Sequence, residues 1–328
     1  MSGQDIAIRA LASLAIYAWA VPGGAQDFPA RPITIVVPFP AGPGGSDALA
    51  RILAERMQTT LSQAVIVENV PGAGGTIGAG RVARAAADGY TLILGSWASH
   101  VGGSAVYPVK FDVVKDFEPV ALLGSNPLWI VAKKALPPKN LKELIAWLRA
   151  NPDKPSAGTV GLGSASHICG IYFQNQTGTR FQFVPYRGGP PAMQDLISGQ
   201  IDLMCDNASN SLSLVQNGQI KAYAVMTEKR WALARDIPTV DESGITGLRF
   251  SFWYGLWARG GTPTSIVAKL NSALVEALSE PTTRQRIENL GLEIFPRNQQ
   301  TPQTLTLFLQ SEIEKWGPII KAANIKAQ

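Results

Sequence analysis

Two glycine-rich turns each stand between an apolar run and the start of an amphipathic one, and both can seat an anion. The first is Pro40-Ala41-Gly42-Pro43-Gly44-Gly45-Ser46-Asp47. The second runs from Gly158 and Thr159 through Gly161, Gly163, Ser164 and Ser166 to His167. Glycine turns sharply and leaves amide N–H groups uncovered, and a helix beginning just behind adds partial positive charge. Ser46, Ser164 and Ser166 are good helix caps, and hydroxyls converging with amides on a helix start suit a carboxylate or a phosphate. Taken alone, each turn is also what a plain strand–helix corner needs. Two of them in separate halves of one chain point to a small anion gripped from both sides. Arg187, in Tyr186-Arg187-Gly188-Gly189, is either a bidentate carboxylate clamp or a surface charge. Asp206 and Asn207 end an apolar run where an Asx turn is the plain reading.

Other chemistries find little support. No Gly-Lys-Ser/Thr follows the first turn, so it is not a nucleotide P-loop. A third cluster, Pro71-Gly72-Ala73-Gly74-Gly75, also precedes a helix. Gly78-Ala79-Gly80-Arg81-Val82-Ala83 matches a dinucleotide fingerprint in letters, but it lies inside a helical stretch and is set aside. The chain has two histidines, His100 and His167, and no His/Asp/Glu set at ligand spacing, so neither metal nor cofactor is expected. No Ser–His–acid arrangement is evident, and His167 reads as an orienting or packing residue. His167 and Cys169 are two apart, which places them on different sides of a helix, so a Cys–His nucleophile is not expected. The chain therefore does not read as an enzyme.

The turns need a scaffold, and the chain supplies one by alternation. Strand candidates are 33–38, 65–68, 90–95, 120–124, 128–132, 156–160, 182–186, 201–205, 221–226 and 255–258. Helix candidates are 47–60, 76–86, 141–150, 166–176, 191–198, 263–278, 282–290 and 302–321. This pattern predicts an α/β fold of mostly parallel sheets with helices on both faces. In such sheets ligands sit beyond the carboxyl ends of strands, where both glycine turns fall. A domain change is expected near Gly124-Ser125-Asn126-Pro127, with a return near Thr227–Trp231. Residues 26–125 and 228–328 would form one lobe and 126–227 the other. Two crossovers make a hinge, and hinge closure around a ligand suits a binding protein.

The 328 residues are enough for two cores, and a chain that is 46% hydrophobic and 16% charged is globular. The net charge of +5 comes from scattered Lys and Arg that form no dense stripe, so no nucleic-acid partner is expected. Arg9, the apolar stretch Ala10–Val21 and the small residues Gly23-Gly24-Ala25 read as an export signal over residues 1–25, cleaved after Ala25. No later stretch reaches membrane-spanning length without a charge or proline. Cys169 and Cys205 each sit in an apolar segment, where buried free thiols are expected in preference to a disulfide.

Several segments together carry a family resemblance. Phe28-Pro29-Ala30-Arg31-Pro32-Ile33 runs into Val36-Val37-Pro38-Phe39-Pro40-Ala41-Gly42, and Val67-Glu68-Asn69-Val70-Pro71-Gly72-Ala73-Gly74-Gly75 follows. Asp88-Gly89-Tyr90-Thr91-Leu92, Gly161–His167, Pro185-Tyr186-Arg187-Gly188, Gly199–Met204 and Trp253–Ala258 come next in order. They resemble the Bug-type extracytoplasmic solute receptors of tripartite tricarboxylate transporters, over nearly all of the chain after residue 26. The resemblance implies a two-lobed, periplasmic Venus-flytrap receptor that closes on a small mono- or dicarboxylate. It implies delivery to an integral-membrane permease of one large and one small subunit, with the receptor a monomer. Carried over, it implies ligand contacts from Phe39, Gly45, Ser46 and Asp47 in the first turn and Thr159, Gly163, Ser164 and His167 in the second. Tyr186, Asp206 and Ser96 complete the implied pocket, while Trp97 and His100 fall where ligand-facing side chains vary. A receptor feeding a sensor partner, or an enzyme on the same scaffold, are the competing readings; the enzyme needs a nucleophile–base pair or a metal set.

Overall fold

The computed structural model describes residues 27–42 and 45–325. The expected export signal and part of the first glycine turn lie outside them. The chain opens with β1 (Ile33–Val37), α1 (Gly45–Leu61), β2 (Val65–Asn69), α2 (Thr76–Ala83), β3 (Thr91–Ser96) and the short α3 (Gly103–Val106). A long strand β4 (Phe117–Lys133) leads to α4 (Leu141–Ala150), β5 (Ser156–Thr159), α5 (Ala165–Thr177), β6 (Gln182–Pro185) and α6 (Gly189–Ser198). Then come β7 (Leu203–Asn207), α7 (Ala208–Gln216), β8 (Ile220–Val225) and β9 (Ser251–Arg259). The chain ends with α8 (Thr264–Ser279), α9 (Pro281–Asn289), β10 (Glu293–Ile294) and α10 (Pro302–Ala322).

The strands join in the order β2-β1-β3-β9-β4-β7-β5-β6, with β8 and β10 also on β4. The α/β class and two-lobed architecture are as expected, but the sheet is mixed rather than mostly parallel. Pairing is parallel within β2-β1-β3 and within β7-β5-β6. It is antiparallel wherever β4 or β9 takes part. The reason lies in the connections: helices link the parallel strands, whereas 226–250, between β8 and β9, holds no helix.

β4 carries the chain through the expected domain change at Gly124–Pro127. One strand runs through it, pairing with β9 along Phe117–Pro127 and with β7 and β8 along Leu128–Lys133. Its prolines are tolerated because each sits where the ladder is already interrupted. Pro119 borders a register shift, and Pro127 falls where the partner strand changes.

Helix starts are written locally. Asn140 accepts from Glu143 N at 2.9 Å to open α4, and Ser164 accepts from His167 N at 3.3 Å to open α5. A helix the sequence did not suggest, α7, has the serine-rich sequence Ala-Ser-Asn-Ser-Leu-Ser-Leu-Val-Gln, whose propensity is weak. Two apolar clusters fill the interior: a large one spanning both flanks of the sheet, and a smaller one around Trp129, Trp231 and Leu196. Among the described residues, no helix is long and apolar enough to cross a membrane.

Cys169 and Cys205 form a disulfide, with Cα atoms 6.1 Å apart. The expectation of free thiols is thus corrected. α5 packs on β7, and this brings together two cysteines 36 residues apart, a proximity no local pattern records.

Candidate anion-binding cavity

A cavity of about 480 Å³ lies beyond the strand ends. Its walls come from Pro38–Pro40 after β1, Gly72, Gly74 and Gly75 after β2, and Ala98 and Tyr107 after β3. Facing them are Val160–Ser166 after β5, Arg187–Gly189 after β6, and Met204–Asn207 with Asn210 at β7 and α7. Leu128 and Phe252, from the two long central strands, join the lining.

Of the eleven residues singled out from sequence, Phe39, Gly163, Ser164 and Asp206 line this cavity. Thr159, His167 and Tyr186 stand outside the lining, each next to or bonded to a residue of the turns that form it. Tyr186 N donates to Thr159 O at 2.8 Å, which carries the β5–β6 pairing to its end. His167 Nδ1 accepts from Gly163 N at 3.2 Å, and burial holds this imidazole below its usual pKa. Gly163's amide is therefore engaged inside the turn. Val160 N is likewise taken by Ser166 Oγ at 3.0 Å. The amides of Gly161 and Leu162 donate to no acceptor among the described residues, and both residues line the cavity.

Asp47 does not reach the cavity; it braces the wall. Its carboxylate accepts from Arg51, from Asn69 Nδ2 at 2.9 Å and from Gly42 N at 3.2 Å. Asn69 Nδ2 also donates to Phe39 O at 3.0 Å. Burial alone would raise the Asp47 pKa, but the hydrogen bonds from Arg51, Asn69 and Gly42 outweigh it and hold the carboxyl below its usual range. Ser46 is buried and lies outside the lining, and Gly45 opens α1 at φ +62°, also outside it.

Ser96, Trp97 and His100 also lie elsewhere. The chain after β3 winds into a π-helical turn, Ala98–Gly102, instead of an extended loop. This swings Trp97 against Phe250 and Trp316 and stacks His100 on Trp257 at 4.1 Å, all fully buried. Trp97 and His100 thus do not face a ligand. Ser99 Oγ and His100 Nδ1 are 2.9 Å apart, a serine–histidine contact the sequence reading did not notice. Desolvation pushes the His100 pKa down to about 3, and its Nε2 has no hydrogen-bond partner among the described residues. Ser99 and His100 are sealed in the core, out of a ligand's reach.

Asp206 is the one acid among the described residues of the lining. Burial raises its pKa to about 6, against hydrogen bonds from Ser211, Asn210 and the Asn207 amide. Ser211 Oγ donates to Asp206 Oδ2 at 2.6 Å and accepts from Trp129 Nε1 at 3.0 Å.

The sequence reading missed Gly72, Gly74 and Gly75 as a wall, along with Tyr107, Asn210 and Phe252. For the glycines a signal was present: a third cluster standing before a helix. Gly75 sits at φ +94°, and a Cβ there would lie 2.9 Å from Ser99 Cβ and 3.2 Å from Phe39 Cζ. Only glycine lets the two walls approach so closely.

Residues 49–325 match the model of the tripartite tricarboxylate transporter family receptor. The chain belongs to this receptor family. A UPF0065 protein from the ttuE–ttuC′ intergenic region of Agrobacterium vitis is 40% identical over 92% of this chain and 87% of its own length. Among solved structures, the periplasmic binding protein BugD is 40% identical at a TM-score of 0.79, covering 92% of this receptor and 100% of that chain. MatC from Rhodopseudomonas palustris, with bound malate, is 38% identical at a TM-score of 0.80, over 89% and 100% of the two chains. R. palustris Rpa4515, with adipate, is 34% identical at 0.81, over 92% and 100%. The fold of this family receptor is that of a periplasmic solute-binding protein.

Proposed function

We propose that this receptor captures a small carboxylate in the cavity by lobe closure, in the periplasm, and delivers it to a membrane permease of one large and one small subunit. Residues 26–125 and 228–328 would form one lobe and 126–227 the other. The observation that carries the reading is the uncommitted amides of Gly161 and Leu162, set in a lining that faces the glycine wall of Gly72, Gly74 and Gly75. Backbone dipoles held in place stabilise a carboxylate without a buried counter-charge. Phe39 and Ser164 shape the seat, and Asp47, Thr159, His167 and Tyr186 hold its walls. The malate and adipate found in relatives support the ligand class.

The test is a thermal-shift series on residues 26–328 with succinate, malate, adipate, inorganic phosphate and glucose. A ligand at 100 times its Kd stabilises a fold by about 2.7 kcal/mol, a shift easily read. Stabilisation confined to carboxylates is expected. Stabilisation by phosphate or glucose alone would overturn the reading.

A further inference from the structure

Arg187 is the one lysine, arginine or histidine among the described residues that line the cavity. It is exposed, and among the described residues it makes no ion pair, whereas arginines such as Arg51, Arg81 and Arg230 are tied to carboxylates. Its nearest acid along the chain, Asp195 on α6, is already engaged: Tyr186 Oη donates to Asp195 Oδ2 at 2.6 Å. That bond and the one from Tyr186 N to Thr159 O fix the backbone on which Arg187 stands, while its guanidinium stays uncommitted.

The strand order sets what lies around it. β7, β5 and β6 are neighbours, so Asp206 near the end of β7, the Gly161–Leu162 amides after β5 and Arg187 after β6 stand in a row at three adjacent strand ends. Strands are spaced about 4.8 Å apart, which puts the backbones of the acid and the cation roughly 10 Å apart on either side of the amides. An anion seated on those amides meets repulsion towards Asp206 and attraction towards Arg187. An apolar ligand tail on the Arg187 side would strip water from a guanidinium and give it nothing in return, whereas a carboxylate there restores two hydrogen bonds in a planar fork.

We propose that Arg187 receives the second carboxylate of a dicarboxylate whose first rests on the amides beyond β5, and so makes the receptor select dicarboxylates over monocarboxylates of equal length. This rests on the carboxylate-receptor reading. The test is calorimetric titration of residues 26–328 with matched pairs: succinate and butyrate, glutarate and pentanoate, adipate and hexanoate. Wild type and the variants Arg187→Gln and Arg187→Lys are compared. Wild type is expected to favour the dicarboxylate of at least one pair tenfold or more. Arg187→Gln should lose tenfold or more for that dicarboxylate, keep the monocarboxylate within twofold, and so collapse the ratio. Arg187→Lys, which keeps the charge but not the fork, should recover part of it. The side chain is exposed, so the melting temperatures of the free variants should match wild type. If Arg187→Gln binds the dicarboxylate as tightly as wild type, the assignment is overturned and the receptor reading stands. If wild type binds no carboxylate of any pair, the receptor reading falls and the assignment with it.

Discussion

Gly163 lays its backbone directly on Val106: a Cβ at Gly163 would lie 2.7 Å from Val106 Cγ2. Gly163 also sits at φ +71°, which L side chains rarely adopt. Here the second glycine turn, after β5, touches α3 from the other flank of the sheet. Gly163→Ala is therefore expected to meet both backbone strain and a steric block to the approach of the two flanks. Calorimetry with malate or adipate should show affinity falling about tenfold, roughly 1.4 kcal/mol, with a smaller change in the melting point of the free protein. Unchanged affinity would show that the contact does not limit closure.

Asp47 and Asn69 together hold Phe39 at the cavity wall. Asp47→Ala removes the acceptor of the Gly42 amide and one of the two acceptors of Asn69 Nδ2, and is expected to cost about 1–3 kcal/mol in urea unfolding. The folded pKa of Asp47 is depressed, so its contribution is present above the unfolded value and is lost as pH falls through the folded one. The gap between wild type and the variant should close on acidification.

Asp206 behaves oppositely, with a folded pKa raised from 3.8 to about 6. Between those values the native state binds more protons than the unfolded one, so this group lowers stability as pH rises from 3.8 to 6 and adds no further slope above that. Asp206→Asn should remove that segment of the pH–stability curve. The charge that develops on Asp206 also faces the cavity, so carboxylate affinity of wild type should weaken between pH 5.5 and 7.5 and that of the variant should stay flatter. Parallel profiles would discount Asp206 as a neighbour of the bound anion.

The Cys169–Cys205 bond closes a loop of 36 residues and ties α5 to β7. In the loop-entropy account it contributes about 3–4 kcal/mol. The double variant Cys169→Ser/Cys205→Ser should unfold at lower urea by that order, and reduction of wild type should match it. Because Cys205 itself lines the cavity next to Asp206, carboxylate affinity should fall alongside stability. A melting point unmoved by reductant would mean that the bond carries no stability.

Much of the architecture was legible because it is written in short windows. Leu141–Ala150 was read to the residue, since Asn140 caps it and Leu141, Leu144, Ile145 and Leu148 keep helical spacing on one buried face. The glycine turns announce themselves by residue type, and the ordered segments from Phe28 to Ala258 identify the family. α7 escaped because serines and an asparagine give its window no helical preference; packing against β4 and β8 decides it.

What residue order alone could not settle was which turns meet. The sequence determined two anion-suited turns, their α/β scaffold and the family. Tertiary structure decided that Gly72, Gly74 and Gly75 join the wall, that Arg187 faces the cavity while Asp47 braces it, and that Trp97 and His100 are core. It also decided that Cys169 pairs with Cys205. Each of these depends on contacts between residues distant in sequence, set by strand order and helix packing, and no local pattern encodes such a distance.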